Sequence, residues 1–314
     1  KNGVTIAASL PTTIQTQKYE KGDVLVSNIR PYFKKIWLAN KKGGCSNDVL
    51  VFRAKNDIEP RYLYYVLANN SFFEYSMATA KGTKMPRGDK KALMEYGIPD
   101  FDLKEQHKIA SILSTIDDKI QLNNKINKNL EEQLATLFAH KFKDNISKAT
   151  TSTCPKLGDL ITIIDNRGKT PPLTTNTFEY PIIDVGSLKG SCRIIDVNNC
   201  TKYVNKATYE TWFRRGHPKP GDILISTVGS LGEIKIYLGT KGCIAQNVIA
   251  LRAITISPLY LYQYLRFIRA DLFAYNIGSV QPSIKVTHII KHPIFIPKAD
   301  DLIAEFTLLQ NSAY

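Results

Sequence analysis

The nine residues GDILISTVG (221–229) resemble a segment that already stands at 22–30 as GDVLVSNIR, with isoleucine for valine as the change within the first six positions. The two segments lie 221 − 22 = 199 positions apart, and glycine, aspartate, leucine and serine recur in register. The same offset joins SNDVLVFRA (46–54) to AQNVIALRA (245–253). Because separate segments keep their order and spacing, the sequence indicates a tandem duplication of one module.

The correspondence continues into the later part of each module. RYLYYVLANN (61–70) resembles LYLYQYLRFI (259–268) at helical spacing, and GTKMP (82–86) matches GSVQP (278–282) at 278 − 82 = 196 positions. Short alternating strands with one or two amphipathic helices per module predict an α/β (α+β) fold made of two related domains.

The length and composition favour two folded domains without a membrane anchor. A chain of 314 residues carries a prior of about two domains. No apolar stretch approaches the roughly 18 residues that a membrane-spanning helix needs. Five cysteines without a CxxC pair point to reduced thiols in the cytoplasm, and not to disulfides or a zinc site. The plainer interpretation of these cysteines is that they are small buried hydrophobes.

The charge of the chain suggests a polyanionic partner. The formal net charge is +14 and the pI is about 9.4, a balance typical of proteins that bind nucleic acid. Five cations and no acid lie within 30–42, and five cations with one acid lie within 81–91. A third cluster follows at 206–219. These clusters fall in loops punctuated by glycine and proline, where contact residues are usually displayed; the alternative is a merely solvated basic surface.

Residues 103–142 differ in composition from the two modules, since they contain no glycine and no proline. Heptad spacing over four repeats predicts one long helix of the coiled-coil type with a single packing seam. The seam comprises Ile109, Ile112, Ile116, Asn123, Ile126, Leu130 and Leu137. The alternative is a long helix that packs on its own domain.

At this point the residues resemble the specificity subunit of type I restriction–modification systems. The stretch 82–120 carries the most specific part of the resemblance, which extends over essentially the whole chain. Its matching residues are Gly82, Thr83, Ile98, Pro99, Leu103, Glu105, Gln106, Ile109, Ala110, Leu113, Asp117 and Ile120.

The resemblance implies a DNA-recognition subunit without catalytic residues, metal or cofactor of its own. Each target recognition domain would read one half of a split site in double-stranded DNA, with long helices setting the separation. The helices would also dock methyltransferase subunits and, through them, the restriction subunits of the complex.

The resemblance also implies a domain plan. The segments are a first target recognition domain (1–102), a conserved helical spacer (103–142), a linker (143–154), a second target recognition domain (155–300) and the start of a second helical region (301–314). Against the family pattern, we expect the first domain to be incomplete at its N terminus and the second helical region to be cut short. The helical spacer would then lack its partner, so we expect a two-fold homodimer through 103–142.

The candidate DNA contacts lie in loops that differ between the modules, such as NIRPYFKK (28–35) and TVGSLGEI (227–234). Different loops on one scaffold would read different bases. Gly229 and Gly232 would allow close approach of the backbone to DNA, or simply form a tight turn. The candidate contacts are Ser27, Asn28, Arg30, Lys34, Lys35, Lys84, Arg87, Arg167, Lys169, Arg214, Arg215, Ser226, Thr227, Ser230 and Gln281.

The competing hypothesis is a Mg²⁺-dependent restriction endonuclease. Asp222, Glu233 and Lys235 resemble the acidic pair and lysine that hold the metal and activate water in many nucleases. The duplication argues against it, because at the 199 offset Glu233 falls on Lys34 and Lys235 on Ile36. A third hypothesis, a helical scaffold that binds only protein, would leave the cationic loops unexplained.

Overall fold

The computed structural model describes residues 16–190, 192–275 and 282–297. The chain divides into two compact units between residues 123 and 124. Within the described residues, no helix is long and apolar enough to cross a membrane.

The first unit is a small α/β assembly followed by the start of a long helix. Its strands are β1 (Gln17–Tyr19), β2 (Val24–Ser27), β3 (Ile36–Leu38), β4 (Gly43–Cys45) and β5 (Val49–Phe52), and its helices are α1 (Pro60–Ala68), α2 (Asn70–Ala78), α3 (Lys90–Met94) and the first part of α4 (Leu103–Ser147). A single 3-10 turn, Pro31–Phe33, lies between β2 and β3.

Strand β2 is the centre of the first unit. It pairs antiparallel with β3 on one side and β5 on the other, while β1 pairs with β4. Val24 and Val26 pack against the helices, and Leu25 packs on the opposite face against Tyr19 and Trp37. Burial of both faces explains why the strand is a continuous apolar run.

The second unit contains the same arrangement with additional strands before it. Its strands are β6 (Ile161–Ile164), β7 (Tyr180–Ile183), β8 (Tyr203–Val204), β9 (Ile223–Ser226), β10 (Ile234–Ile236), β11 (Cys243–Ile244) and β12 (Val248–Ala253), and its further helices are α5 (Lys206–Trp212), α6 (Pro258–Phe267), α7 (Arg269–Ala274) and α8 (Val286–Lys291). The main sheet has the order β10-β9-β12-β6, and a second sheet has the order β11-β7-β8.

The strand register confirms the duplication. In the first unit Val24 pairs with Phe52, and in the second Ile223 pairs with Leu251. Both residues of the second pair lie 199 positions after their counterparts, since 223 − 24 = 251 − 52 = 199. The central strand and its long neighbour therefore form the same ladder twice.

In each unit a hairpin follows the central strand, and the register of this hairpin corrects one detail of the sequence alignment. Leu25 pairs with Trp37, whereas its counterpart Leu224 pairs with Lys235. The offset has fallen to 235 − 37 = 198, because the second hairpin loop is one residue shorter. Lys235 therefore corresponds to Trp37 and not to Ile36.

Helix α4 has 45 residues and is roughly 68 Å long at 1.5 Å per residue. It begins at the predicted residue 103 and continues to 147, five residues beyond the predicted end at 142. The segment between α4 and the second module is correspondingly shorter than the predicted linker 143–154.

The N-terminal part of α4 is anchored to the first unit by Gln106, which is buried. Its amide nitrogen donates to the carbonyl oxygens of Asp57 (3.1 Å) and Phe101 (2.8 Å), and its oxygen accepts from the Glu59 N–H (2.9 Å). A buried amide with this many partners fixes the helix start in one position. This contact gives the Glu105-Gln106 motif a structural role.

The C-terminal part of α4 packs on the core of the second unit through a stripe that the heptad analysis missed. Leu134, Phe138, Phe142 and Ile146 recur every fourth residue and are all buried there. The phenyl ring of Phe138 lies 5.6 Å from the Tyr260 ring, centroid to centroid. Packing on its own domain therefore applies to this end of the helix.

The predicted seam lies largely in solvent in the single chain. Ile112 is 64% exposed, Ile116 53%, Ile126 46% and Leu137 38%. Asn123 is exposed as well, and Ile109 and Leu130 are half-buried.

Candidate nucleic-acid interface

The loop between β2 and β3 (residues 28–35, here loop 1) is held by its backbone on two sides. The Asn28 N–H donates to the Asp48 carbonyl oxygen (2.8 Å), and the Arg30 N–H donates to the Pro86 carbonyl oxygen (2.8 Å). These bonds fix the backbone of loop 1, so its exposed side chains are presented on a rigid frame.

The same bonds bring together two basic segments that lie far apart in the sequence. Residues 81–87 form a small hairpin in which Lys81 and Arg87 exchange backbone hydrogen bonds of 2.9 and 3.0 Å. Arg87 also forms a β-bridge with Ile29 of loop 1. The clusters predicted at 30–42 and 81–91 thus meet at one surface of the first unit.

The cations of this surface are mostly accessible. Lys35, Lys84 and Arg87 are exposed. Arg87 pairs with Asp48 at 3.2 Å, and the Lys34 ammonium donates to the Asn70 side chain at 2.9 Å. Exposed pairs of this kind contribute little to stability, so these cations remain available to a polyanion.

The second unit holds its equivalent loop (residues 227–233, here loop 2) in the same way. The Thr227 N–H donates to the Asn247 carbonyl oxygen (2.9 Å), and the Gly229 N–H donates to the Pro282 carbonyl oxygen (3.0 Å). Both donors and the Asn247 acceptor lie 199 positions after their counterparts in the first unit, and the Pro282 acceptor lies 282 − 86 = 196 positions after Pro86. The duplicated scaffold therefore anchors two loops of different sequence by equivalent backbone hydrogen bonds.

The two loops differ in which residues occupy their left-handed positions. In loop 2 these positions are occupied by Gly229 (φ 83°) and Gly232 (φ 65°). The tight turn is therefore sufficient to explain both glycines. In loop 1 the same positions hold Arg30 (φ 51°) and Lys34 (φ 50°). A non-glycine residue there costs roughly 1 kcal/mol, so loop 1 keeps two cations at positions where glycine would be more stable.

A second basic surface lies within the second unit. The Asn166 side chain donates to the Gly216 carbonyl oxygen (2.8 Å) and accepts from the Arg215 N–H (3.0 Å). These bonds join the segment that carries Arg167 and Lys169 to the segment that carries Arg214 and Arg215. All four cations are exposed, but the Arg167 guanidinium is already bound by Asp165 at 2.6 Å.

Two predicted contacts of the second unit are not exposed at its surface. Ser226 and Thr227 are fully buried. The Ser226 hydroxyl donates to the Ser230 carbonyl oxygen (2.5 Å) and accepts from the Glu233 N–H (2.9 Å). Ser226 and Thr227 therefore shape loop 2 from below in the chain alone, and their direct contact with DNA stays a prediction.

The remaining predicted contacts fall into three groups. Ser27 and Asn28 support loop 1, since the Ser27 hydroxyl donates to the Ile29 carbonyl oxygen (3.2 Å) and Asn28 is buried. Ser230 is exposed on loop 2. Gln281 lies outside the described residues.

Sequence reasoning missed the aromatic pair of loop 1, Tyr32 and Phe33, which are 46% and 56% exposed. The available signal was an aromatic doublet set between cations in a proline-containing loop, RPYFKK (30–35).

The three residues of the nuclease hypothesis are each engaged elsewhere. Asp222 accepts two bonds from the Arg252 guanidinium, at 2.7 and 3.0 Å. The buried Lys235 ammonium donates to the carbonyl oxygens of Gly190 (2.6 Å) and Cys192, and burial lowers its pKa. The Glu233 carboxylate oxygen lies 3.4 Å from a guanidinium nitrogen of Arg269.

The aspartate is part of the duplicated scaffold. Asp23 accepts two bonds from Arg53, at 2.6 and 2.7 Å, as Asp222 does from Arg252. Arg53 lowers the pKa of the Asp23 carboxyl. In the described part of the chain, no group of three or more histidine, cysteine or acidic side chains could hold a metal ion. The aspartate therefore has a structural role in both units.

The repeated ion pair predicts unequal losses of stability. Asp222→Ala is expected to lower the free energy of unfolding of the second unit by about 2–3 kcal/mol, because it leaves a partly buried arginine unpaired. Asp23→Ala is expected to cost the first unit about 1 kcal/mol, since Arg53 is 61% exposed and solvent screens it.

The two tryptophans allow each unit to be followed separately. Trp37 belongs to the first unit and Trp212 to the second, so urea unfolding is followed by fluorescence in Trp212→Phe and Trp37→Phe backgrounds. If the wild-type chain cleaved DNA and Asp222→Ala lost that cleavage at unchanged stability, a catalytic role of Asp222 would be supported instead.

Comparison with known proteins places these features in a family. Residues 1–132 and 153–307 match the family model of the type I restriction modification DNA specificity domain. The chain is 24% identical, over 278 residues, to the type I restriction enzyme MjaIX specificity subunit of Methanocaldococcus jannaschii, covering 82% of this chain and 63% of that subunit. It is 32% identical over 133 residues to the HindI specificity subunit of Haemophilus influenzae, covering 40% of this chain and 28% of that subunit.

The chain thus spans less than two thirds of the length of these curated relatives. Among solved structures, the type I restriction-modification S subunit from M. genitalium aligns with a TM-score of 0.42 at 20% identity, over 82% of this chain and 67% of that one.

Proposed function

Because this chain belongs to the family of type I restriction modification DNA specificity domains, we propose that it is the subunit that recognises the DNA sequence for a type I restriction–modification complex in the cytoplasm. The observation that carries the proposal is the duplicated scaffold, which anchors loops 1 and 2 by equivalent backbone hydrogen bonds and lets them present different side chains. A protein that reads a bipartite site needs this combination of constant frame and variable loops.

In this proposal different residues contact the DNA phosphates and the DNA bases. Lys35, Lys84 and Arg87 in the first unit, and Arg214 and Arg215 in the second, would contact phosphates and supply most of the affinity. The tips of loops 1 and 2 would meet base edges, where sequence is distinguished. Two such modules in one chain would read the two halves of a split site in double-stranded DNA.

The proposed partners are the methyltransferase and restriction subunits of the complex. The exposed seam of α4, from Ile112 to Ile126, supports a docking role for this helix, since large apolar patches on a surface mark interaction sites. In the purified chain, without those subunits, a second copy of the helix would cover the same seam. In this proposal chemistry on DNA belongs to the partners, and the chain itself is not an enzyme.

The proposal predicts that the purified chain binds DNA without changing it. Incubated with Mg²⁺, S-adenosylmethionine and a duplex that it retains on a filter, the chain should leave the DNA neither cut nor methylated. Cleavage that disappears in Glu233→Ala, with folding intact, would favour the nuclease hypothesis instead. Failure to retain any duplex would contradict the proposal.

A further inference from the structure

Two aromatic side chains stand exposed side by side at the tip of loop 1. Tyr32 and Phe33 are 46% and 56% exposed, and their ring centroids lie 4.6 Å apart. Exposed apolar side chains that adjoin one another on a loop mark a surface that meets a partner.

The loop backbone is arranged to place the pair outward. Pro31 is buried and fixes the start of the turn, and the left-handed residues Arg30 and Lys34 close it at either end. Loop 2 has one residue fewer between its left-handed positions, and there Leu231 is buried in the core. The extra residue of loop 1 thus accompanies a change from a buried aliphatic side chain to two exposed rings.

The surroundings of the rings indicate the chemistry of the partner. The Lys35 ammonium lies 5.8 Å from the centre of the Phe33 ring, and Arg30, Lys34 and Arg87 lie on the loop or on the segment bridged to it. A partner that satisfies this surface has both dense negative charge and flat apolar faces. Phosphates and stacked bases together provide these features.

We propose that Tyr32 and Phe33 form an aromatic wedge that enters DNA at one base step of the half-site read by the first module and stacks on the bases it separates. This inference rests on the proposed function, since it requires the module to bind double-stranded DNA. Cations on both sides of the wedge would hold the phosphates while the step opens, as in other proteins that insert apolar side chains between base pairs. In the described residues loop 2 has no equivalent pair, so the wedge distinguishes the two modules.

The experiment uses duplexes that the full chain selects from a random-sequence library. 2-Aminopurine replaces adenine at each A·T pair of the selected site in turn, and pyrrolocytosine replaces cytosine at each G·C pair; the fluorescence of either probe rises where a base loses its stacking neighbours. The wild-type chain is expected to brighten the probe at one step. The variant Tyr32→Ala/Phe33→Ala is expected to lose this signal and to bind about tenfold more weakly, with an unchanged dependence of affinity on salt because no phosphate contact is lost.

Two controls separate the wedge from general effects. Tyr32→Phe keeps the ring and is expected to behave as wild type, and Phe178→Ala removes a 74% exposed ring of the second unit without affecting the signal. Selected binding with no brightening at any step, or wild-type affinity in the double variant, overturns the wedge and leaves the proposed function standing. A library that yields no bound duplex overturns both.

Discussion

We expect the purified chain to be a dimer at micromolar concentration and to become a monomer when Ile116 and Ile126 are both replaced by glutamate. Light scattering should give about twice the chain mass of 35.3 kDa for the wild type. The reason is the seam of α4, where Ile112, Ile116 and Ile126 are each about half exposed or more. Burying one such side chain contributes roughly 1.5–3 kcal/mol, and a second copy of the same helix buries the set twice.

We propose a two-fold antiparallel pairing of the helices, since two-fold closure is the commonest symmetry of protein oligomers. Two glutamates on each helix would place four charges in the apolar contact, a cost that association cannot offset. The matched control is Gln121→Glu/Asn124→Glu, which adds the same charge on the side of the helix away from the seam and should leave the dimer intact. A monomeric wild type would contradict the proposal, and a dimeric Ile116→Glu/Ile126→Glu variant would place the interface elsewhere.

The second large effect concerns the basic surface of the first unit. Lys84→Ala/Arg87→Ala is expected to weaken DNA binding by between 10-fold and 100-fold near 0.1 M salt. Each phosphate contact contributes about 0.9 to the slope of log affinity against log salt, so the slope should become shallower by about 1.8. Binding isotherms at four or more salt concentrations measure both quantities.

The control for this prediction removes the same charge elsewhere. Lys104→Ala/Lys108→Ala also lowers the net charge from +14 to +12, but from exposed positions on α4. Its slope should stay close to that of the wild type. Equal losses in the two double variants would mean that the chain responds only to its net charge, and the surface at 81–87 would then be ordinary solvated surface.

Sequence reasoning recovered the parts of the fold that depend on buried repeats. The ladder of β2 with β5 and that of β9 with β12 follow from apolar segments that must be buried in the same register. The start of α4 at Leu103 was likewise predictable, because the heptad pattern begins a few residues later. Its buried C-terminal stripe was not found, since one seam was assumed for the whole helix while the last turns meet a different partner, the second unit's core.

The candidate site was only partly predictable. Cation clusters identified the surface of the first unit, but the contact between segments 28–35 and 81–87 depends on tertiary hydrogen bonds. The left-handed backbone of Arg30 and Lys34 opposes the local preference of both residue types, so no propensity could have indicated it. The burial of Ser226 was not predictable because a serine after a buried strand can face the loop or the interior with equal ease, and here its hydroxyl closes the turn.

In the proposed function, two related modules each read one half of a bipartite DNA site. Selection of duplexes from a random-sequence library by the full chain, followed by sequencing, tests it most directly. We expect two short conserved blocks separated by a spacer of constant length and variable sequence, with Lys84→Ala/Arg87→Ala weakening binding without altering either block. A single uninterrupted block, or no enrichment of any sequence, would contradict it.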